Sequence, residues 1–250
     1  MASRTLRDYP KFNELLYYRR RINMGNYVFL NICLYTEGTT DIRFLENIVQ
    51  QTYERAAIQA YGEIDIELHV ITIDKTGLNF TQQVLKAAQK AKQEYGAAII
   101  CVHSDADSSS IDNTLNTKFV PAQKCLLEQE NDSCSRILVN LIPVHMTEAW
   151  ILADKQLLKQ QIGTTLSDTE LNLNKDPESI SNPKQAIENA IRIARQNIVK
   201  RRRRNLGIGE LYAPLGQLIN IDQLMDLKSY RQFWDNVINS LKQLNLMRAN

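Results

Sequence analysis

The stretch AIICVHSDADS, residues 98–108, predicts how the chain folds and where its chemistry lies. Its unbroken apolar run is typical of a buried strand, and the run is followed by Asp105 and Asp107 in a loop of small residues. Open α/β sheets bind their ligands at the carboxyl ends of their strands, so two carboxylates there make a divalent-metal site the first hypothesis. The alternative is a solvated turn, because Asp and Ser are common turn residues.

A further acid, Glu37, follows the first predicted strand, residues 27–35. From Thr40 onward the apolar residues adopt helical spacing, so Glu37 lies at a strand-to-helix turn. Gly38 permits backbone conformations that other residues resist, which favours a tight turn at this point. The structural alternative is an acid near a helix N-terminus, where the helix dipole favours negative charge.

Strand-like and helical segments alternate along the first two thirds of the chain. After the first strand and its helix, the predicted elements are strands over residues 64–73, 97–103 and 136–142 and helices over residues 80–95 and 118–129. This alternation predicts an α/β fold with a parallel sheet flanked by helices. Parallel strands end at one edge of a sheet, so Glu37, Asp105 and Asp107 are expected at the same edge.

Residues 144–154 predict another helix, with Glu148 in its first turn and near the end of the fourth strand. Glu148 is therefore a fourth candidate for the site, although an acid in a first helical turn needs no catalytic reason. Two further candidates are Asp41, for which a helix first-turn acid is the simpler interpretation, and His145, which could contact phosphate. A lone His is more often a structural residue than an acid or base.

Changes in composition divide the chain into three parts. Residues 1–26 form a basic N-terminal arm, with six Lys or Arg and only two acids. Residues 27–160 are the predicted α/β core. Residues 161–250 begin with a polar stretch without strong strand character and continue with helical spacing, which predicts a helical extension that carries a basic cluster.

The basic cluster is the strongest sign of a partner, although the net charge of the chain is only +2. It is the run Lys200, Arg201, Arg202, Arg203 and Arg204. Clustered cations displace counterions from a phosphate backbone, so the run predicts nucleic-acid binding. The structural alternative is a solvated helix end, where the dipole favours cations.

Several classes of protein are not indicated. No apolar run approaches the roughly 20 residues of a membrane span, and the polar start MASRTLRDYPKF lacks the apolar core of a signal peptide. A cytoplasmic location is therefore expected. The four cysteines show no CxxC pairing, so neither a zinc knuckle nor a disulfide scaffold is predicted.

Three segments taken together resemble the DUF4276 family of TOPRIM-like proteins, relatives of the nuclease domain of OLD-family proteins. They are EGTTD at 37–41, DAD at 105–107 and TEAWILAD at 147–154. DPE at 176–178 and NPK at 182–184 are further family-like pieces, and the resemblance covers roughly residues 27–184.

The resemblance implies a TOPRIM-like fold and a metal-dependent nuclease, a hydrolase that cleaves the phosphodiester bonds of DNA or RNA. By position, Glu37, Asp105 and Asp107 match the residues that hold Mg²⁺ or Mn²⁺, and Glu148 matches the family-specific helix. Such proteins often accompany an ATPase in bacterial antiviral defence. This chain contains no P-loop, so an ATP-driven step requires a partner ATPase.

Two other functions fit parts of the pattern. An apolar strand followed by Asp-x-Asp also describes the nucleophile loop of haloacid-dehalogenase-type phosphatases, but that motif usually opens its domain, whereas here another strand and Glu37 come first. The third hypothesis is a catalytically silent, nuclease-like binding or sensor module.

Overall fold

The computed structural model describes residues 27–129, 132–196 and 206–247. The strands are β1 (Tyr27–Thr36), β2 (Glu63–Ile71), β3 (Ile99–His103) and β4 (Ile137–Leu141). The helices before β4 are α1 (Thr39–Ala57), α2 (Phe80–Tyr95), α3 (Asp112–Thr114) and α4 (Val120–Leu127), with a π-helical turn, Leu115–Phe119, between the last two. The helices after β4 are α5 (Glu148–Ile151), α6 (Lys155–Ile162), α7 (Pro183–Ala194), α8 (Tyr212–Leu218), α9 (Ile221–Leu224) and α10 (Lys228–Gln243). The predicted arm and the run Lys200–Arg204 lie outside the described residues.

The four strands form one all-parallel sheet in the order β2-β1-β3-β4. This confirms the predicted α/β fold with a parallel, helix-flanked sheet followed by C-terminal helices. β1 and β3 are the central strands, and every residue of β3 is buried, as its continuous apolar sequence requires. Thr36 is in register with His103, so the residues that follow the two strands, Glu37 and Ser104, are neighbours at the carboxyl edge of the sheet.

Apolar side chains cover both faces of the sheet. One face packs against α1 and the C-terminal helices, and its core includes Trp150, Tyr230 and Phe233. The other face packs against α2 and α4, around Val102 and Phe119. The C-terminal helices therefore belong to the same hydrophobic core as the sheet and do not form a separate core.

The predicted continuous helix over residues 144–154 is wrong, because the structure divides this segment. His145 has a left-handed backbone, with φ of 59°, which interrupts any helix that starts before it. α5 then begins at Glu148, and Asp154 caps the next helix by accepting a hydrogen bond from the Leu157 N–H. Glu148 does occupy a first helical turn, as the sequence predicts.

No helix of the described residues is long and apolar enough to cross a membrane.

Candidate active site

Glu37 is the outermost acid of the site, and a serine and a lysine hold its carboxylate. The Glu37 side chain is 51% exposed. Ser104 Oγ donates a hydrogen bond to Glu37 Oε2 over 2.7 Å, and Lys118 Nζ lies 3.3 Å from the same oxygen. Lys118 also donates to Ser104 Oγ over 2.8 Å. The three side chains form a closed triangle that joins β1, β3 and the π-helical turn.

The backbone around Glu37 is arranged by local contacts. Thr36 Oγ1 donates to the carbonyl oxygen of Gly38 over 2.6 Å, which closes the turn between β1 and α1. A Cβ atom at Gly38 would collide with the Asp41 carboxylate, so glycine at this position lets Asp41 fold back toward the strand end. The glycine that marks the turn in the sequence therefore also serves to admit a second carboxylate.

Asp105 is fixed through only one of its carboxylate oxygens. Asp105 Oδ1 accepts a hydrogen bond from the Thr147 N–H over 2.9 Å and lies 3.1 Å from His103 Nε2. Thr147 Oγ1 lies 3.0 Å from the same His103 nitrogen, so these three residues support one another. Asp105 Oδ2 has no hydrogen-bonding partner among the described residues, and the side chain is 30% exposed. That oxygen is therefore available to a ligand.

The loops that follow β3 and β4 are bound to each other by backbone hydrogen bonds. The Asp107 N–H donates to the carbonyl oxygen of His145 over 3.0 Å, and the His145 N–H donates to that of Ser108 over 2.9 Å. Asp107 and His145 both have left-handed backbones, a conformation that non-glycine residues adopt at an energetic cost and that clusters at functional sites. The Asp107 side chain is exposed and forms no hydrogen bond or ion pair within the described residues.

Glu148 lies at the base of the site, where it is only 5% exposed. Its carboxylate accepts a hydrogen bond from the hydroxyl of Tyr212 in α8. Burial raises the pKa of Glu148, and the nearby Asp105 and Asp41 carboxylates raise it further, whereas the Tyr212 hydrogen bond acts in the opposite direction. Burial also raises the pKa of Asp41, which His103 partly opposes. The Asp105 carboxylate is thus close enough to Asp41 and Glu148 to raise the pKa of both.

The structure places the predicted residues in one region but does not gather them into one cluster. In the described ranges, no group of three or more His, Cys, Asp or Glu side chains is arranged to hold a metal ion. The donors themselves suit Mg²⁺, a hard cation that prefers carboxylate oxygens, binds through one or two of them and keeps several waters. Among the residues that the structure describes, neither Asp105 Oδ2 nor the Asp107 carboxylate has a hydrogen-bond or ion-pair partner, so these oxygens fit this mode of binding. The predicted three-carboxylate magnesium site stays a prediction.

Five residues of this region were not predicted from the sequence to belong to the site: His103, Ser104, Lys118, Thr147 and Tyr212. Ser104 and Thr147 each directly precede a predicted site acid, and this position in the sequence could have indicated that they belong to the site. Tyr212 is far from Glu148 along the chain, and only the need of a buried carboxylate for a hydrogen-bond donor indicates that such a partner exists.

Comparison with known proteins yields one match. The family described as "Domain of unknown function (DUF4276)" matches residues 36–237. The chain matches no curated protein and no solved structure. The matched range includes every described residue of the site, from Glu37 to Tyr212.

Proposed function

The chain belongs to the DUF4276 family, a domain of unknown function, and we propose that it is a Mg²⁺- or Mn²⁺-dependent nuclease of the TOPRIM type. The observation that carries the proposal is the hydrogen bond from Ser104 to Glu37. It joins the acid after β1 to the residue that directly precedes Asp105. Acids from two adjacent parallel strands are thereby held at one strand edge, where α/β proteins bind their ligands.

In this proposal each residue has a physical task. Asp105 and Asp107 hold the metal ion, and Glu37 is a further ligand or the general base that takes a proton from the attacking water. A bound Mg²⁺ would activate that water and stabilise the leaving oxygen of the phosphodiester. Thr147 and His103 orient Asp105 by occupying its other oxygen.

The remaining candidates act around these ligands. Lys118 places a positive charge beside Glu37, where the charged oxygens of a phosphodiester would also approach. Glu148 is a positioning residue, because its carboxylate is buried and engaged by Tyr212. His145 lies on the loop beside Asp107 and is the proposed contact to phosphate. Asp41 adds a further carboxylate close to Glu148.

The defence setting is proposed on the family resemblance, and nucleic-acid binding on the clustered positive charge of residues 200–204. We propose that the chain acts in the cytoplasm as an effector of bacterial antiviral defence together with a partner ATPase, and that Lys200, Arg201, Arg202, Arg203 and Arg204 bind nucleic acid. Examining neighbouring genes for an ATPase would test the partner directly. A purified complex with such an ATPase is the form in which activity should be measured if the chain alone is inactive.

The central test is a cleavage assay on DNA and RNA with Mg²⁺ or Mn²⁺, comparing the wild-type chain with Asp105→Asn/Asp107→Asn. Asparagine retains an oxygen that can accept from the Thr147 N–H, so the variant should fold and lose roughly 100-fold or more in cleavage. Asp235→Asn is the matched control, because Asp235 is exposed on α10, and it should cleave normally. Full metal-dependent cleavage by the double variant would refute the proposal, and an aspartyl-phosphate trapped at Asp105 would establish the phosphatase chemistry instead.

A further inference from the structure

Four lysine side chains form a row that starts at Glu37. The lysine row consists of Lys118, Lys75, Lys86 and Lys90. At its inner end Lys118 Nζ lies 3.3 Å from Glu37 Oε2. Lys75 Nζ donates to the carbonyl oxygen of Glu37 and, over 3.2 Å, to that of Thr36. Two ammonium groups therefore flank Glu37.

The outer half of the lysine row follows the loop after β2. Lys86 Nζ donates to the carbonyl oxygen of Asp74 over 3.4 Å, and Lys90 Nζ donates to that of Thr72 over 3.0 Å. Asp74 immediately precedes Lys75 along the chain, and Thr72 lies three residues before Lys75. The ammonium groups therefore follow this loop in the order 90, 86, 75 and then reach Glu37.

Regular structure holds the lysine row in place. The loop begins at the carboxyl end of β2, which pairs with β1, so it lies at the same strand edge as Glu37. Lys86 and Lys90 are four residues apart on α2 and so share one face of that helix. A capping box formed by Asn79 and Gln82 fixes the start of α2. Lys86 and Lys90 are thus held by a helix, and Lys75 lies on a loop that starts at a strand end.

Carboxylates lie near three of the four ammonium groups of the lysine row, so the row keeps only part of its positive charge. Carbonyl oxygens orient three of the ammonium groups but carry no net charge, and each ammonium has three donors. Glu37 lies beside Lys118, and the Glu94 carboxylate is 3.9 Å from Lys90. Hydrogen bonds from Thr76 lower the pKa of the exposed Asp74 carboxylate, and the positive charge of Lys86 lowers it further. The four ammonium groups outnumber these three carboxylates and keep unused donors, so an outside anion that extends along the row can still bind.

We propose that the lysine row binds the sugar–phosphate backbone of a single nucleic-acid strand and leads it to Glu37 and Asp105. This inference rests on the proposed function, because the bound strand is the substrate only of a nuclease. The two lysines at Glu37 would be enough to bind a single phosphate group. A row that continues away from the site fits a polymer with regularly repeated negative charges, whose bound counterions the ammonium groups would release.

The test is fluorescence anisotropy of a 5′-labelled 12-nucleotide oligothymidylate with the full chain in EDTA, so that binding is measured without cleavage. The variant is Lys86→Gln/Lys90→Gln, because Gln keeps a donor for the carbonyl oxygens and removes only the charge. Affinity falls as salt rises, and each lost contact to a single strand makes the slope of log affinity against log salt less steep by about 0.7. We therefore expect the slope of the double variant to be less steep by about 1.4. The loss of affinity between 50 and 200 mM salt is then about sevenfold smaller than in the wild type.

Lys242→Gln is the matched control, because Lys242 lies in the last turn of α10, on the opposite face of the sheet, and it should leave the slope unchanged. The same measurements are repeated with residues 200–204 changed to Gln, so that the basic cluster cannot mask the effect. Equal slopes for the double variant and the wild type in that background, or no oligonucleotide binding by the wild type, would overturn the proposal. Because no cleavage is required, a catalytically silent chain can still confirm the lysine row, and an active nuclease can still refute it.

Discussion

Gly216 lets α8 approach α1 closely, and Gly216→Ala is expected to destabilise the protein. A Cβ atom built on Gly216 would lie 2.6 Å from the carbonyl oxygen of Phe44 and 2.9 Å from its Cα. Both are backbone atoms of α1, so no side-chain rotation can relieve the collision. The two helices must separate, although Gln51 Nε2 also joins them by a 3.2 Å hydrogen bond to the Gly216 carbonyl.

Two opposing effects determine the size of the change. Overpacking typically costs 1–3 kcal/mol, and we expect about 3 kcal/mol here because the colliding atoms belong to the backbone. Alanine in a helix gains about 1 kcal/mol over glycine. The net loss of unfolding free energy is therefore about 2 kcal/mol, which corresponds to roughly 4–8 °C in the midpoint of thermal unfolding for a chain of this length.

Urea unfolding followed by the intrinsic fluorescence of Trp150 and Trp234 measures this loss, provided that the m-value stays constant. Gly209→Ala is the matched control, because nothing lies within 4 Å of a Cβ at Gly209, and its stability should be unchanged or slightly raised. Tyr212 lies one turn before Gly216 in α8, so the displaced helix should also weaken the contact between Tyr212 and Glu148. A Gly216→Ala variant as stable as Gly209→Ala would show that α8 does not approach α1 as closely as described.

Two further predictions concern stability. Glu148→Gln should flatten the pH dependence of stability. Burial raises the pKa of Glu148 in the folded state, so the folded protein binds this proton more tightly than the unfolded chain does. The stability of the wild type therefore falls as pH rises above the unfolded pKa of Glu148. Urea titrations at pH 5 and pH 8 should show a smaller decrease for the variant than for the wild type, and equal decreases would contradict the assignment. Asn79→Ala removes the side chain that accepts from the Gln82 N–H and should cost about 1 kcal/mol of unfolding free energy, whereas Asn79→Asp, which keeps an acceptor, should cost much less in the same measurement.

The sheet was predictable because its strands carry strong local signals. The continuous apolar run of β3 indicates burial on both faces, and the structure buries every residue of that strand. The alternation of strands with helices indicates parallel pairing, since such connections place helices on the faces of the sheet. Strand order is a different matter, because β1 and β3 pair through contacts between distant parts of the chain that no local pattern encodes.

The loops and helix ends around the site were less predictable. The segment over residues 144–154 has helical spacing, yet its first residues are not helical, because His145 is left-handed and backbone hydrogen bonds bind its loop to that of Asp107. Lys118 reaches Glu37 from a π-helical turn, and apolar periodicity does not distinguish such a turn from an ordinary helix. Tertiary hydrogen bonds, rather than local propensity, decide the conformation at both places.

The exposure of the four predicted acids separates two kinds of role. Glu37, Asp105 and Asp107 are open to solvent at least in part, so a phosphate or a hydrated cation can reach them. Glu148 is buried, and its hydrogen bond to Tyr212 ties α5 to α8. A buried carboxylate with a raised pKa costs stability when it is ionised, so its presence beneath Asp105 is better explained by the electrostatics of the site than by packing. Since a cation bound above these acids would offset their mutual repulsion, the wild-type protein should gain more thermal stability from Mn²⁺ than the Asp105→Asn/Asp107→Asn variant does.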